Sequence, residues 1–177
     1  MSHYNMMRDK GDRHLNGRSF AEVVQEDMIA LERAGAGPEN AACMDDEVFE
    51  RDYLRTLPYG HGVHSFVGRG LYAALLRGWF KALGGRDRVL VLRLEELIQD
   101  TQGVMDRVFA HLGLEPFVLT DTAPKNSRQS NASQGKGGKT PGGYVVDYDT
   151  AENRKALSEL RAFYEPHEAE LRRMMGW

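Results

Sequence analysis

The decapeptide Asn131-Ala-Ser-Gln-Gly-Lys-Gly-Gly-Lys-Thr140 gathers the residue types that hold phosphate. A Walker-type loop is Gly, four spacers, then Gly-Lys-Ser/Thr, set between a strand and a helix so that backbone N–H groups converge on the anion. Gly138-Lys139-Thr140 meets the end of that pattern. Ser133 stands where the first glycine belongs, and Pro141-Gly142-Gly143 follows where a helix would have to begin, so the stretch does not read as a nucleoside-triphosphatase loop. It keeps a simpler capacity: glycines let the backbone approach an anion, and Lys136 and Lys139 supply charge with no carboxylate between them. On composition alone it reads first as a solvated linker.

Other residues invite chemical roles. His61-Gly-Val-His64 places two histidines in a glycine-rich loop, but no cysteine or carboxylate stands at metal-ligand spacing, so no metal is assigned. Glu95-Glu96 could supply a base; at the start of a helix, carboxylates more often serve the helix itself. Tyr72 and Trp79 read as core, since an aromatic helix face usually packs inward. Asn131-Ala-Ser133 is a glycosylation sequon that matters only in a secretory lumen. Cys43, the single cysteine, has no internal disulfide partner. No catalytic residue is assigned.

Size and charge bound the rest. With 177 residues the chain suits one domain, 1–177. Its 23 basic and 26 acidic side chains balance to −3, which leaves no footprint for nucleic acid. No run of eighteen apolar residues offers a membrane segment, and Met1–His14 lacks the apolar stretch of a signal peptide.

The elements that would position these residues are mostly helical. Residues 2–7 make a short helix, and Ser19-Phe-Ala-Glu22 is a capping box opening a second through Arg33. Residues 45–55 suit a charged helix. Leu71, Leu75, Trp79 and Leu83 recur every four residues and mark a helix over 70–83, closed by Gly84-Gly85. Arg88-Val-Leu-Val-Leu-Arg-Leu94 is apolar on both faces and predicts one buried strand. Such a strand needs neighbours on both edges, which PFVLT (116–120) and GYVV (143–146) scarcely supply, so the rest of the sheet is expected from outside this sequence. A helix over 101–111 follows, then a long loop over 115–148. The last helical region starts at Asp149-Thr-Ala-Glu152, breaks at Pro166 and closes at Trp177.

Several of these segments together resemble the C-terminal part of the Golgi-type carbohydrate sulfotransferases, the heparan- and chondroitin-modifying branch that uses 3′-phosphoadenosine 5′-phosphosulfate (PAPS). GLYAALLRGWF (70–80) is similar to the family's Gly/Ser-x-Tyr…Leu-x-x-Trp helix, and RVLVLRLEELIQDT (88–101) to its late strand and following helix start. DRVFAHLGLEP (106–116) is similar to its Val-Phe-x-Phe-Leu-Gly-Leu segment, and LRAFYEPHEAELRRMMGW (160–177) to its closing Leu-x-x-Phe-Tyr-x-Pro-x-Asn…Trp. The matches keep one order over roughly 110 residues.

The resemblance implies a P-loop-NTPase-like α/β sulfotransferase fold, truncated at the N-terminus, so that the chain is mostly helical with one clear buried strand, 88–94. It implies transfer of a sulfuryl group from PAPS to a carbohydrate hydroxyl or amine, with PAPS as donor and no metal. Lys136-Gly-Gly-Lys-Thr-Pro141 is similar to the family's Lys-Gly-Arg…Pro loop over the donor 3′-phosphate, which implies Lys136 and the Gly137 backbone as contacts. Gly138 replaces the arginine, and Lys139 stands next to it as a substitute cation. Ser2-His3-Tyr4 resembles the end of the element whose serine binds the same phosphate, which implies Ser2. The family's 5′-phosphosulfate loop has no counterpart here, so this chain alone is expected to be an incomplete and inactive fragment. The resemblance implies a Golgi lumen; a cytoplasmic location is the alternative. The rival reading of function is a non-catalytic helical interaction module, or a pseudoenzyme remnant, that completes a partner's sheet.

Overall fold

The computed structural model describes residues 2–56, 64–122 and 146–177. Among them every regular element is helical. The α-helices are α1 (Ser2–Asp9), α2 (Phe20–Arg33), α3 (Asp46–Phe49), α4 (Tyr72–Leu83), α5 (Leu94–Gln99), α6 (Thr101–Leu112) and α7 (Ala151–Met175). The chain divides into two compact units, residues 1–79 with 143–177, and residues 80–142.

The first unit is organised by α2. Phe20, Val23, Val24, Met28 and Leu31 fall on one face at spacings of three and four and are all buried. Each such side chain contributes roughly 1.5–3 kcal/mol by leaving water. They pack with Tyr4, Leu15, Phe49, Tyr53, Val67, Leu71, Ala156 and Phe163 in one core. The predicted capping box is present in full: Ser19 Oγ accepts from Glu22 N at 3.2 Å and Ser19 N donates to Glu22 Oε2 at 2.6 Å. Ser19 Oγ also donates to Glu152 Oε1 at 2.9 Å, which ties the start of α2 to the first turn of α7. α3 runs directly into a π-helical turn, Glu50–Leu54, and this wider turn carries Tyr53 into the core, where it is fully buried.

In the second unit, α5 and α6 pack on one another. Asp100 Oδ1 caps α6 by accepting from Gly103 N at 2.9 Å. Gly113 ends it with φ 67° and ψ 28°, a left-handed geometry that glycine adopts without steric cost. Val104 is the one residue of this unit, among those described, that is buried.

The structure corrects the expected α/β fold. Arg86–Arg88 form a 3₁₀ turn, residues 89–93 form no regular element, with extended backbone at Val89 and Arg93, and Leu94 already begins α5. No strand lies beside them among the described residues, and Val89–Leu92 are only half-buried. The reason is physical: the β preference of a Val-Leu-Val-Leu run is a fit to a pleated, covered surface, and it makes no strand without one. At its C-terminal end, Glu95 and Glu96 favour the first turn of a helix and draw Leu94 into α5.

Two further expectations change. Tyr72 and Trp79 are not core; each is 60% exposed, on the face of α4 opposite buried Ala73 and Ala74. α7 does not break at Pro166 but runs unbroken for 25 residues. A mid-helix proline costs about 3 kcal/mol through its lost N–H and ring clash. Here Phe163, His167 and Glu170 are buried on both sides of it along one face, and that packing holds the two halves in line.

Candidate functional site

The polar groups of the first unit converge around the chain segment just before α4. Asp27 lies on the apolar face of α2, where the spacing calls for a hydrophobic residue, and is 1% exposed. Its carboxylate accepts from Tyr53 Oη and, at 2.6 Å, from Val67 N. With its hydrogen given to Asp27, Tyr53 Oη accepts from Ser65 Oγ at 2.8 Å. On the other side, Tyr164 Oη from α7 donates to Val67 O at 2.6 Å. The backbone at 65–68 is thus held from α2, from the π-turn and from α7. Burial raises the Asp27 carboxyl above its ordinary value, against the lowering effect of the hydrogen bonds from Tyr53 and the backbone at 66–68. Burial and the Asp27 charge raise the Tyr53 phenol.

From this anchored segment the chain enters α4, and a cavity of about 240 Å³ opens between its start and α7. It is lined by Gly70, Tyr72, Tyr164, His167, Glu168 and Leu171. Gly70 leaves room that no other residue could: a Cβ there would lie 2.5 Å from Tyr164 Oη. His167 is 6% exposed, and its Nε2 is buried with no hydrogen-bond partner. Burial lowers its pKa, which keeps the ring neutral near pH 7. Glu168 reaches Arg172 one turn along α7 at 3.6 Å.

A third group joins the turn after α1 to residue 64. Asp12 Oδ1 lies 3.1 Å from His64 Nε2 and accepts from His14 N at 2.9 Å. The two imidazoles stand 4.4 Å apart, and Arg18 Nη1 lies 3.0 Å from His14 Nε2. Among the described residues no three His, Cys, Asp or Glu side chains converge as a metal site.

Of the four donor-site residues expected from the sequence, Ser2 is the one among the described residues. Ser2 opens α1. Lys136, Gly137 and Lys139, together with His61 and the sequon at Asn131, lie outside the described residues. Glu95 and Glu96 sit in the first turn of α5, where Glu96 pairs with Arg107 of α6 and Glu95 lies 3.9 Å from Arg93. They serve local structure, as their position suggested.

Sequence reading passed over Asp27, Tyr164 and His167. Asp27 had a signal, a lone carboxylate within the stripe Phe20, Val23, Val24, Met28, Leu31. His167 had none, because a histidine on a charged helix looks solvated until the opposing wall is known. No protein-family model, no curated protein and no solved structure matches this chain.

Proposed function

We propose that this chain carries the C-terminal part of a PAPS-dependent carbohydrate sulfotransferase, with Lys136, the Gly137 backbone, Lys139 and Ser2 toward the donor 3′-phosphate. The motif order from Gly70 to Trp177 supports this reading, and one contact carries it furthest. Two of the segments that carry the resemblance, GLYAALLRGWF and LRAFYEPHEAELRRMMGW, meet at Gly70 and Tyr164, 94 positions apart in sequence. Sulfuryl transfer, like phosphoryl transfer, depends mainly on positioning and on cations at the oxygens where charge builds. The 177 residues hold no counterpart of the 5′-phosphosulfate loop, so the reading assigns donor contact to this chain and expects no turnover from it alone. Residues 88–94 form no buried strand, so the helical motifs alone support this reading.

Isothermal titration of the chain with 3′,5′-adenosine bisphosphate tests this. Binding that weakens by about tenfold or more in Lys136→Ala, the loss of one charge-assisted contact, is expected. No heat, or the same affinity in the variant, rejects it.

A second reading is favoured by a separate observation. Residues 89–93 form no regular element and have no strand beside them among the described residues, and Leu94, Ile98, Leu112, Leu114, Phe117 and Val118 of the same unit are exposed. A non-catalytic helical module that docks on a partner would present such a surface. The same titration separates the readings, since such a module has no use for adenosine bisphosphate.

A further inference from the structure

We propose that α4 pairs with the α4 of a second copy of this chain, antiparallel, along an exposed seam formed by Tyr72, Leu76, Trp79 and Leu83. The period of the helix makes the seam. At 3.6 residues per turn these four positions fall within an arc of about 60°. The other side of α4 is occupied: Ala73 and Ala74 are buried, and Arg77 is held by Asp46 at 2.7 Å. Tyr72 and Trp79 are each 60% exposed and Leu83 is 49% exposed, with Leu76 half-buried between them, so an apolar strip faces solvent. No charge interrupts it, because Arg77 and Lys81, the charged residues of α4, fall away from the seam by the same period.

The order of these residues selects a second copy as the occupant. Their intervals of 4, 3 and 4 read the same in both directions, and an isologous interface requires such a self-complementary patch. Laid antiparallel, Tyr72 meets Leu83 of the second copy and Leu76 meets its Trp79. Every contact then sets a large side chain against a small one, the arrangement in which facing layers interdigitate. A parallel pair would set Trp79 on Trp79 and Leu76 on Leu76, a bulge beside a gap. The same 4-3-4 spacing is that of coiled-coil seam positions, whose side chains enter the holes of a facing helix.

Area sets the strength. Fully exposed, an aromatic side chain offers roughly 150–250 Å² and a leucine roughly 60–120 Å², so at these exposures the seam presents about 250–400 Å² of apolar surface per copy. With the roughly 65% apolar share of homodimer interfaces, the pair buries about 800–1,200 Å² in all, below the standard of roughly 1,600 Å². The association is therefore weak and reversible.

Sedimentation velocity of the 177-residue chain from about 10 μM to 1 mM tests this, the span of concentration that suits a weak pair. The weight-average mass is expected to rise from one chain toward two. Tyr72→Lys and Leu83→Glu should each weaken the association by about tenfold or more, since each places a charge in the middle of an apolar contact. The double variant Tyr72→Lys/Leu83→Glu should associate more tightly than either single variant, because the antiparallel register sets the new ammonium of one copy against the new carboxylate of the other. Both side chains are exposed, and circular dichroism matching wild type certifies the fold of each variant. A single-chain mass up to the highest concentration, masses that grow past two chains, single variants that associate like wild type, or a double variant no tighter than the singles overturns the pairing.

Discussion

Gly70 and Tyr164 are packed so closely that the glycine has no space for a methyl group: a Cβ would lie 2.5 Å from Oη and 2.8 Å from Cε1. The phenol cannot simply swing away, because Oη donates to Val67 O and the ring stands beside Phe163 in the core of α7. Gly70→Ala is therefore expected to cost about 1–3 kcal/mol, the usual penalty of overpacking. Chemical denaturation of Gly70→Ala, Tyr164→Ala and the double variant checks the origin of that cost. If the clash is the cause, the double variant loses less than the sum of the two by about 0.5–3 kcal/mol. Simple additivity would place the cost elsewhere.

Ser19 performs two tasks with one hydroxyl, accepting from Glu22 N and donating to Glu152 Oε1. Ser19→Ala removes the cap and the link to α7 together, and a loss of about 1–2 kcal/mol is expected. Glu152→Ala keeps the cap and removes only an exposed hydrogen bond, so it should cost a few tenths of that. Equal losses in thermal or urea unfolding would mean that the cap contributes little.

What the sequence made legible follows from where the determinants lie. The start of α2, the end of α6 and the end of α4 are set by local chemistry: Ser19 with Glu22, Gly113, and Gly84-Gly85, where Gly85 N returns to Phe80 O at 2.9 Å. Such signals act within four or five residues and can be read directly. Val89–Leu92 could not be settled this way, because a strand exists only where another strand lies beside it. Tyr72 was misjudged for a related reason: the four-residue period of α4 names a stripe, but not which side of that stripe meets the core. Ala73 and Ala74 are the buried side. The cavity against α7 needed distances across nearly a hundred residues, from Gly70 to Glu168, that no local pattern contains.

The histidine pair offers a solution test of the first unit. His14 is held below its ordinary value of 6.5, first by burial, then by the nearby His64 and Arg18, while Asp12 pulls the other way. A base whose folded pKa is depressed contributes stability above pH 6.5 that is lost as pH falls through the folded value. A ¹H–¹³C titration of the imidazole signals should give His14 a midpoint under 6.5, rising toward it in His64→Ala. A midpoint at or above 6.5 in the wild-type chain would mean that the two rings do not stand together in solution.

Asp27 has the opposite sign and gives the sharper prediction. Burial raises its carboxyl above 3.8, so between pH 3.8 and its folded value the native state binds more protons than the unfolded chain. Its contribution is complete below pH 3.8 and declines as pH rises through the folded value. Asp27→Asn removes that titration while keeping a carbonyl oxygen able to accept from Val67 N, so its stability should vary less with pH across this window. Asp27→Ala keeps no acceptor and leaves Val67 N–H unmade in the core, at about 1–3 kcal/mol, while Tyr53 Oη loses Asp27 and keeps Ser65 Oγ. Urea midpoints of the three proteins from pH 4 to pH 8 measure all of this at once. Parallel curves for wild type and Asp27→Asn would show that the carboxylate is solvated, and with it that the segment before α4 is not anchored to α2 in the way that positions the cavity.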